Sequence, residues 1–218
     1  MPVSDQYRCL FVHIPKTGGT SIEKTLGMFR DRVDQQDACA MFGNIELKAI
    51  FPVAPVSDFL QHLTLQEALL FDRDNNRLNE YFKFTWIRNP WDRMVSAFSN
   101  KDQNLLEMAR HQGIELAGAT FDEFVAMTGT IRHSHLMPMS HYLQPAEPGM
   151  GVDFMGRFEN FATDFARLCT LIGASVPLPH ENRSRSTHDN YREYYSDWSR
   201  TEIAKRYELD VGLFGYRF

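Results

Sequence analysis

Cysteine is scarce in this chain: Cys9, Cys39 and Cys169 are dispersed, with no CxxC pair. Such an odd, scattered set predicts reduced thiols and excludes a disulfide-stapled scaffold. Long apolar runs are lacking too. Residues 1–7 are mostly polar, and the run Cys9-Leu10-Phe11-Val12 is too short to cross a bilayer, so neither a signal peptide nor a membrane span is expected. Basic residues are not in excess: 23 Lys and Arg against 28 Asp and Glu leave a net charge of −5, which speaks against a general polyanion or nucleic-acid binder. Repeats and low-complexity segments are missing as well. What is present, 218 residues with 43% hydrophobic content, suffices for one domain with a full core. The expectation is a soluble, cytoplasmic protein.

Strand-like and helix-like patterns alternate, which predicts an α/β fold with a central parallel sheet flanked by helices, and sites beyond the carboxyl ends of the strands. Strands are expected over 7–14, 82–88 and 152–157. Helices are expected over 20–28, 64–71, 91–99, 107–118 and 121–127, the last behind Thr120 as cap. Phe161, Phe165, Leu168 and Ile172 recur at helical spacing up to Gly173, a stop signal. A final helix is expected over 199–208, with Asp197 and Ser199 as candidate caps. Residues 29–60 read as irregular, with breaks at Pro52 and Pro55 and a short strand within 46–51.

The most informative stretch is His13-Ile14-Pro15-Lys16-Thr17-Gly18-Gly19-Thr20-Ser21, behind the first apolar run and ahead of a helical pattern. Strand, Lys- and Gly-containing turn, then helix start is an order that cradles phosphate. Gly18 and Gly19 let backbone N–H groups approach an anion, Lys16 supplies a mobile charge, and Thr17, Thr20 and Ser21 supply hydroxyls. Thr20 with Glu23 fits a capping box, so the helix is expected to begin there. The alternative is a turn that merely needed glycine. A Walker loop is excluded, because Lys16 precedes both glycines. An Asp-ended metal strand is lacking too: Ala68-Leu69-Leu70-Phe71-Asp72 reads as helix.

A second strand, Phe82-Lys83-Phe84-Thr85-Trp86-Ile87, ends in Arg88 and runs through Asn89-Pro90 into Trp91-Asp92-Arg93-Met94-Val95-Ser96. Pro90 suits a first helical turn and Asp92 the positive helix end. A guanidinium at a strand tip and the Ser96 hydroxyl two turns on can close on one phosphate. The competing reading is a structural network in which Arg88 and Arg93 pair with Asp92 or other acids. Trp86, Trp91 and Phe98 can flank an adenine, although core packing is their default role.

These residues resemble a known family. Ile14–Ser21 is similar to the 5′-phosphosulfate loop of the carbohydrate-type (family 2) sulfotransferases, and Phe82–Arg93 through Ser96 to their 3′-phosphate motif. His62-Leu63-Thr64, His135-Leu136-Met137-Pro138, Gly156-Arg157-Phe158-Glu159-Asn160 and the aromatic C-terminal stretch match further segments in order, so the likeness spans nearly the whole chain. It implies a P-loop NTPase-like single domain over 1–218. It also implies transfer of a sulfuryl group from 3′-phosphoadenosine-5′-phosphosulfate (PAPS) to a hydroxyl, usually on a sugar. The resemblance assigns Lys16 and the backbone of Gly18, Gly19 and Thr20 to the phosphosulfate, with Thr17 and Ser21 in the same loop, and Arg88 and Ser96 to the 3′-phosphate. By position, Arg183, Arg185 and Arg192, with Ser184, Ser186 and Thr187, resemble the loop that closes over the nucleotide. Golgi members of the family carry a membrane anchor. A soluble enzyme is expected here, with a catalytic fragment freed of its anchor as the alternative.

No metal is required, since Lys16 and backbone dipoles can hold the leaving oxygen's charge. The acceptor hydroxyl needs a base, and histidine suits neutral pH. Among eight histidines, His62 resembles the base of related glycan sulfotransferases. His135 is the second candidate, or contacts the acceptor, and His13 can be a structural donor beside the loop. His133, His135 and His141 invite a zinc reading, but no cysteine lies near and acceptor-facing or solvated histidines fit better. The expected partner is a neutral or lightly charged carbohydrate or other hydroxyl-bearing small molecule. Two rival functions are carried: a kinase-like phosphotransferase, and a non-catalytic nucleotide- or glycan-binding module.

Overall fold

The computed structural model describes residues 2–28, 60–71, 77–101, 103–144, 151–177 and 190–218. The strand expected within 46–51, Cys39, Asp72 and the Arg183–Thr187 stretch lie outside them. The described strands and helices are β1 (Val3–Ser4), β2 (Cys9–Val12), α1 (Gly19–Thr25), α2 (Leu65–Phe71), β3 (Phe82–Ile87), α3 (Pro90–Ser99), α4 (Gln103–His111), α5 (Phe121–Met127), α6 (Met139–Tyr142), β4 (Phe154–Arg157), α7 (Phe161–Ile172), α8 (Asp197–Arg206) and α9 (Glu208–Phe214). The chain forms two compact units: residues 1–87 with 139–182, and residues 88–138 with 183–218.

The first unit holds a four-stranded sheet in the order β1-β2-β3-β4. β2, β3 and β4 are parallel, with Phe11 opposite Phe84 and Phe84 opposite Phe154; β1 pairs antiparallel to β2. The sheet is therefore mostly parallel, and β1 is an addition that two residues of sequence could not announce. All of β2, and β3 apart from Phe82, are buried. That burial explains why these strands read as continuous apolar runs rather than alternations. On one face Cys9, Phe11, Phe84, Trp86 and Phe154 pack with Ile22 and Leu26 of α1 and with Phe161, Phe165 and Leu168 of α7. Trp86 is the hub, with ring centroids of Phe154, Phe161 and Phe165 at 5.8, 5.6 and 6.5 Å. Burial also sets the chemistry of Cys9, whose thiol is pushed up to about 12 by desolvation. Lys83 is buried but donates to the carbonyls of Asn79 and Tyr81.

The second unit has no strand among its described residues. α3 begins at Pro90 behind Asn89, whose side chain accepts from Trp91 N–H (3.0 Å) and donates to the Arg217 carbonyl (2.9 Å) and Tyr191 hydroxyl (3.2 Å). One amide thus caps the helix and ties it to the C-terminal segment. Phe218 packs edge-on against Trp91, Tyr191 and Tyr195. α5 carries a full capping box between Thr120 and Glu123.

Several boundaries differ from expectation. α4 is Gln103–His111 rather than 107–118, because a turn at Gln112–Gly113 ends it. α8 starts at Asp197 with Ser196 as cap and Ser199 completing the box, and α9 follows as a separate helix. α7 matches its expected span and ends at Gly173.

Candidate active site

The loop after β2 turns on backbone geometry unusual for its residue types. Lys16 has φ 69° and Gly18 φ 86°. For glycine the left-handed region is free; for lysine it is uncommon and costs about 1–2 kcal/mol. A strained non-glycine beside two glycines is a pattern met at ligand loops. The expected capping box is not formed: α1 begins at Gly19 with Gly18 as N-cap and no side-chain cap, so Thr20 lies inside the helix. The Thr17 hydroxyl donates to the Ile14 carbonyl at 2.8 Å, so it braces the turn. Ser21 is buried and Thr20 and Lys16 are half-buried.

The reason for the missing box is Glu23. Its carboxylate, fully buried, accepts from His13 Nδ1 at 2.6 Å and from Gln61 Nε2 at 2.7 Å. His13 is itself buried and stacks on Phe11. The His13 ring also explains Gly19: a Cβ there would lie 2.3 Å from His13 Nε2. His62 ends a 3₁₀ turn, Leu60–His62, and is half-buried. Its Nδ1 lies 3.2 Å from the His13 carbonyl oxygen, and its ring meets His13 edge-on at 4.7 Å. A carbonyl only accepts, so Nδ1 carries the hydrogen and the lone pair of the neutral ring is on Nε2. Sequence reasoning named His62 as a candidate base and His13 as a structural donor, but missed Glu23 as the partner of His13 and Gln61.

In the second unit Arg88 meets Asp92 with two parallel bonds, Nε–Oδ2 at 2.7 Å and Nη2–Oδ1 at 2.8 Å. The structural-network alternative is thus present for Arg88, and the same pair fixes the plane of its guanidinium. Ser96 is half-buried on α3. Among the described residues Arg93 pairs with no acid: it is buried, donates from Nη2 to the Met137 carbonyl at 2.5 Å, and lies over the Tyr207 ring at 5.4 Å. Tyr207 in turn donates to the Leu136 carbonyl at 2.7 Å. Two consecutive carbonyls of the His135–Pro138 segment are therefore gripped by buried side chains. Burial pushes the Tyr207 hydroxyl up, so it remains a donor at neutral pH.

His133 is locked in a neutral form. The His135 N–H donates to its Nδ1 at 3.1 Å, and its Nε2 lies 3.0 Å from Asn104 Oδ1. Both ring nitrogens of His133 are engaged. No group of three or more ligating side chains occurs among the described residues. Arg183 and Ser184 lie outside the described residues.

The model of the family described as "Sulfotransferase family" matches residues 1–217. The chain belongs to the sulfotransferase family. It is 28% identical over 239 residues to human carbohydrate sulfotransferase 14, covering 98% of this chain and 59% of that protein. It is 24% identical to the mouse form of that protein, with the same coverage, and 24% identical to chicken carbohydrate sulfotransferase 10, covering 99% of this chain and 66% of the relative. The chain thus spans about three fifths to two thirds of the length of these curated relatives. No solved structure matches it significantly. Among the described residues no helix is long and apolar enough to cross a membrane.

Proposed function

We propose that this protein is a PAPS-dependent O-sulfotransferase acting on a carbohydrate hydroxyl, with a P-loop-like arrangement in one functional domain. The observation that carries this reading is the left-handed Lys16 turn after a buried parallel strand, within a chain that matches the family from end to end. The carbohydrate acceptor is taken from the names of the relatives.

Lys16 and the backbone of Gly18, Gly19 and Thr20 hold the phosphosulfate, and Ser21 belongs to the same loop. Thr17 braces that loop through Ile14. Arg88, oriented by Asp92, and Ser96 hold the 3′-phosphate; Arg183 and Ser184 are assigned to the closing loop. Attack of the acceptor oxygen on sulfur forms an O–S bond while the bridging S–O bond breaks, and its electron pair stays on the leaving bisphosphate. The Lys16 ammonium offsets that charge. The acceptor proton passes to His62 Nε2, the basic nitrogen in the tautomer set by the His13 carbonyl. His135, held through its peptide N–H and its gripped neighbours, is better suited to contact the acceptor.

The test is release of 3′,5′-bisphosphate from PAPS in EDTA, with a panel of neutral and uronate-containing disaccharides. His62→Ala is expected to lower turnover at least ~100-fold with donor affinity kept, and His135→Ala less. Lys16→Ala lowers both. Full turnover in His62→Ala removes it as base, and transfer from Mg-ATP instead of PAPS overturns the donor assignment.

A further inference from the structure

A carboxylate with no exposure to water is costly unless its oxygens are bonded, and an apolar residue of similar size is often as stable at such a place. Glu23 is such a group, and each of its oxygens is bound to a different segment. Oε1 takes His13, the residue that leads β2 into the Lys16 loop, and Oε2 takes Gln61, the immediate neighbour of His62. Glu23 itself sits on α1, the helix that leaves the loop. One buried charge therefore joins the entry of the loop, its exit and the turn that bears His62. The His62 tautomer depends on that junction, because its Nδ1 hydrogen goes to the carbonyl of the same His13 whose ring Glu23 holds.

We propose that Glu23 is a positioning residue for catalysis, acting through His13 and Gln61 to fix the place and tautomer of His62. The inference rests on the reading of His62 as the base. It predicts that the conservative change Glu23→Gln lowers turnover chiefly through His62, whereas a purely structural carboxylate would lower it by the same factor with and without His62.

The experiment combines two readouts on Glu23→Gln and Gln61→Ala, each made with and without His62→Ala. Nitrogen-15 NMR of histidine-labelled protein reports the His62 tautomer without any substrate. Wild-type His62 is expected as one neutral species with hydrogen on Nδ1, and both variants as mixtures. PAPS turnover on the best disaccharide of the panel, or hydrolysis of PAPS if none is sulfated, is expected to fall about tenfold in Glu23→Gln and less in Gln61→Ala. Affinity for 3′-phosphoadenosine-5′-phosphate should stay within about twofold. In the His62→Ala background neither change should lower the residual rate further, the non-additivity of groups acting as a unit. An unchanged tautomer in both variants, or the same fractional loss with and without His62, overturns the proposal. If Glu23→Gln fails to fold, Gln61→Ala alone decides it by the same criteria. Failure of the wild type to bind the bisphosphate, or full activity of His62→Ala, instead overturns the underlying functional reading.

Discussion

The two units each contain a buried histidine beside a half-buried one, and they support them differently. In the first, His13 is braced by a carboxylate and its peptide carbonyl holds the ring of His62. In the second, His133 is braced by a neutral amide and its ring accepts the peptide N–H of His135. The same residue types therefore give different chemistry. A held ring has a defined tautomer and can serve as a base, while a held peptide fixes only where the side chain starts. The cations differ in the same way. Arg88 has the orientation of its guanidinium fixed by a paired carboxylate, but Lys16 is presented by a strained backbone.

The contrast can be broken first through stability. Removing the Glu23 carboxylate leaves two donors unsatisfied, His13 Nδ1 and Gln61 Nε2, whereas removing the Asn104 amide leaves only His133 Nε2, and each unsatisfied group costs about 1–3 kcal/mol. Glu23→Ala is therefore expected to lower the denaturant midpoint clearly more than Asn104→Ala. Equal losses would mean that the carboxylate braces no more than the amide does.

A smaller effect separates two threonines. Thr120 caps α5 through a complete box, so Thr120→Ala should cost about 1 kcal/mol. Thr20 caps nothing, and Thr20→Ala should change stability by less than about 0.5 kcal/mol. The Glu123 carboxyl is held below the usual range, chiefly by the Thr120 N–H and then by the Thr120 hydroxyl. A depressed carboxylate contributes stability above its unfolded pKa and loses it as pH falls through the folded value. The penalty of Thr120→Ala should accordingly shrink on acidification below the ordinary carboxylate range, and a penalty constant with pH would contradict the box.

These threonines also show how far the fold was legible. Both sequences read as Thr-x-x-Glu, and nothing local distinguishes them. The difference is tertiary: Glu23 is drawn away by His13 and Gln61, whereas Glu123 bonds back to Thr120. α5 and α7 were readable because cap and apolar period agree. α9 was not, because Leu209 and Leu213 face outward and break the expected apolar stripe. In the candidate site, the Lys16 turn and its glycines stand out in local order, whereas His62 stands out only through the family resemblance. Asn89 and Arg93 were not assigned their partners, because Arg217, Tyr191 and Met137 lie far away in sequence.

The proposed function requires that two anion-binding motifs hold one bisphosphate donor without a metal. The direct measurement is a calorimetric or thermal-shift titration in EDTA, comparing 3′-phosphoadenosine-5′-phosphate with 5′-AMP, and with Mg-ATP in a metal-containing control. At 100 times its dissociation constant a ligand adds about 2.7 kcal/mol of stability, which is readily seen. The account predicts strong stabilisation by the bisphosphate in EDTA and little by the other two. Preference for Mg-ATP, or equal binding of 5′-AMP, would contradict it.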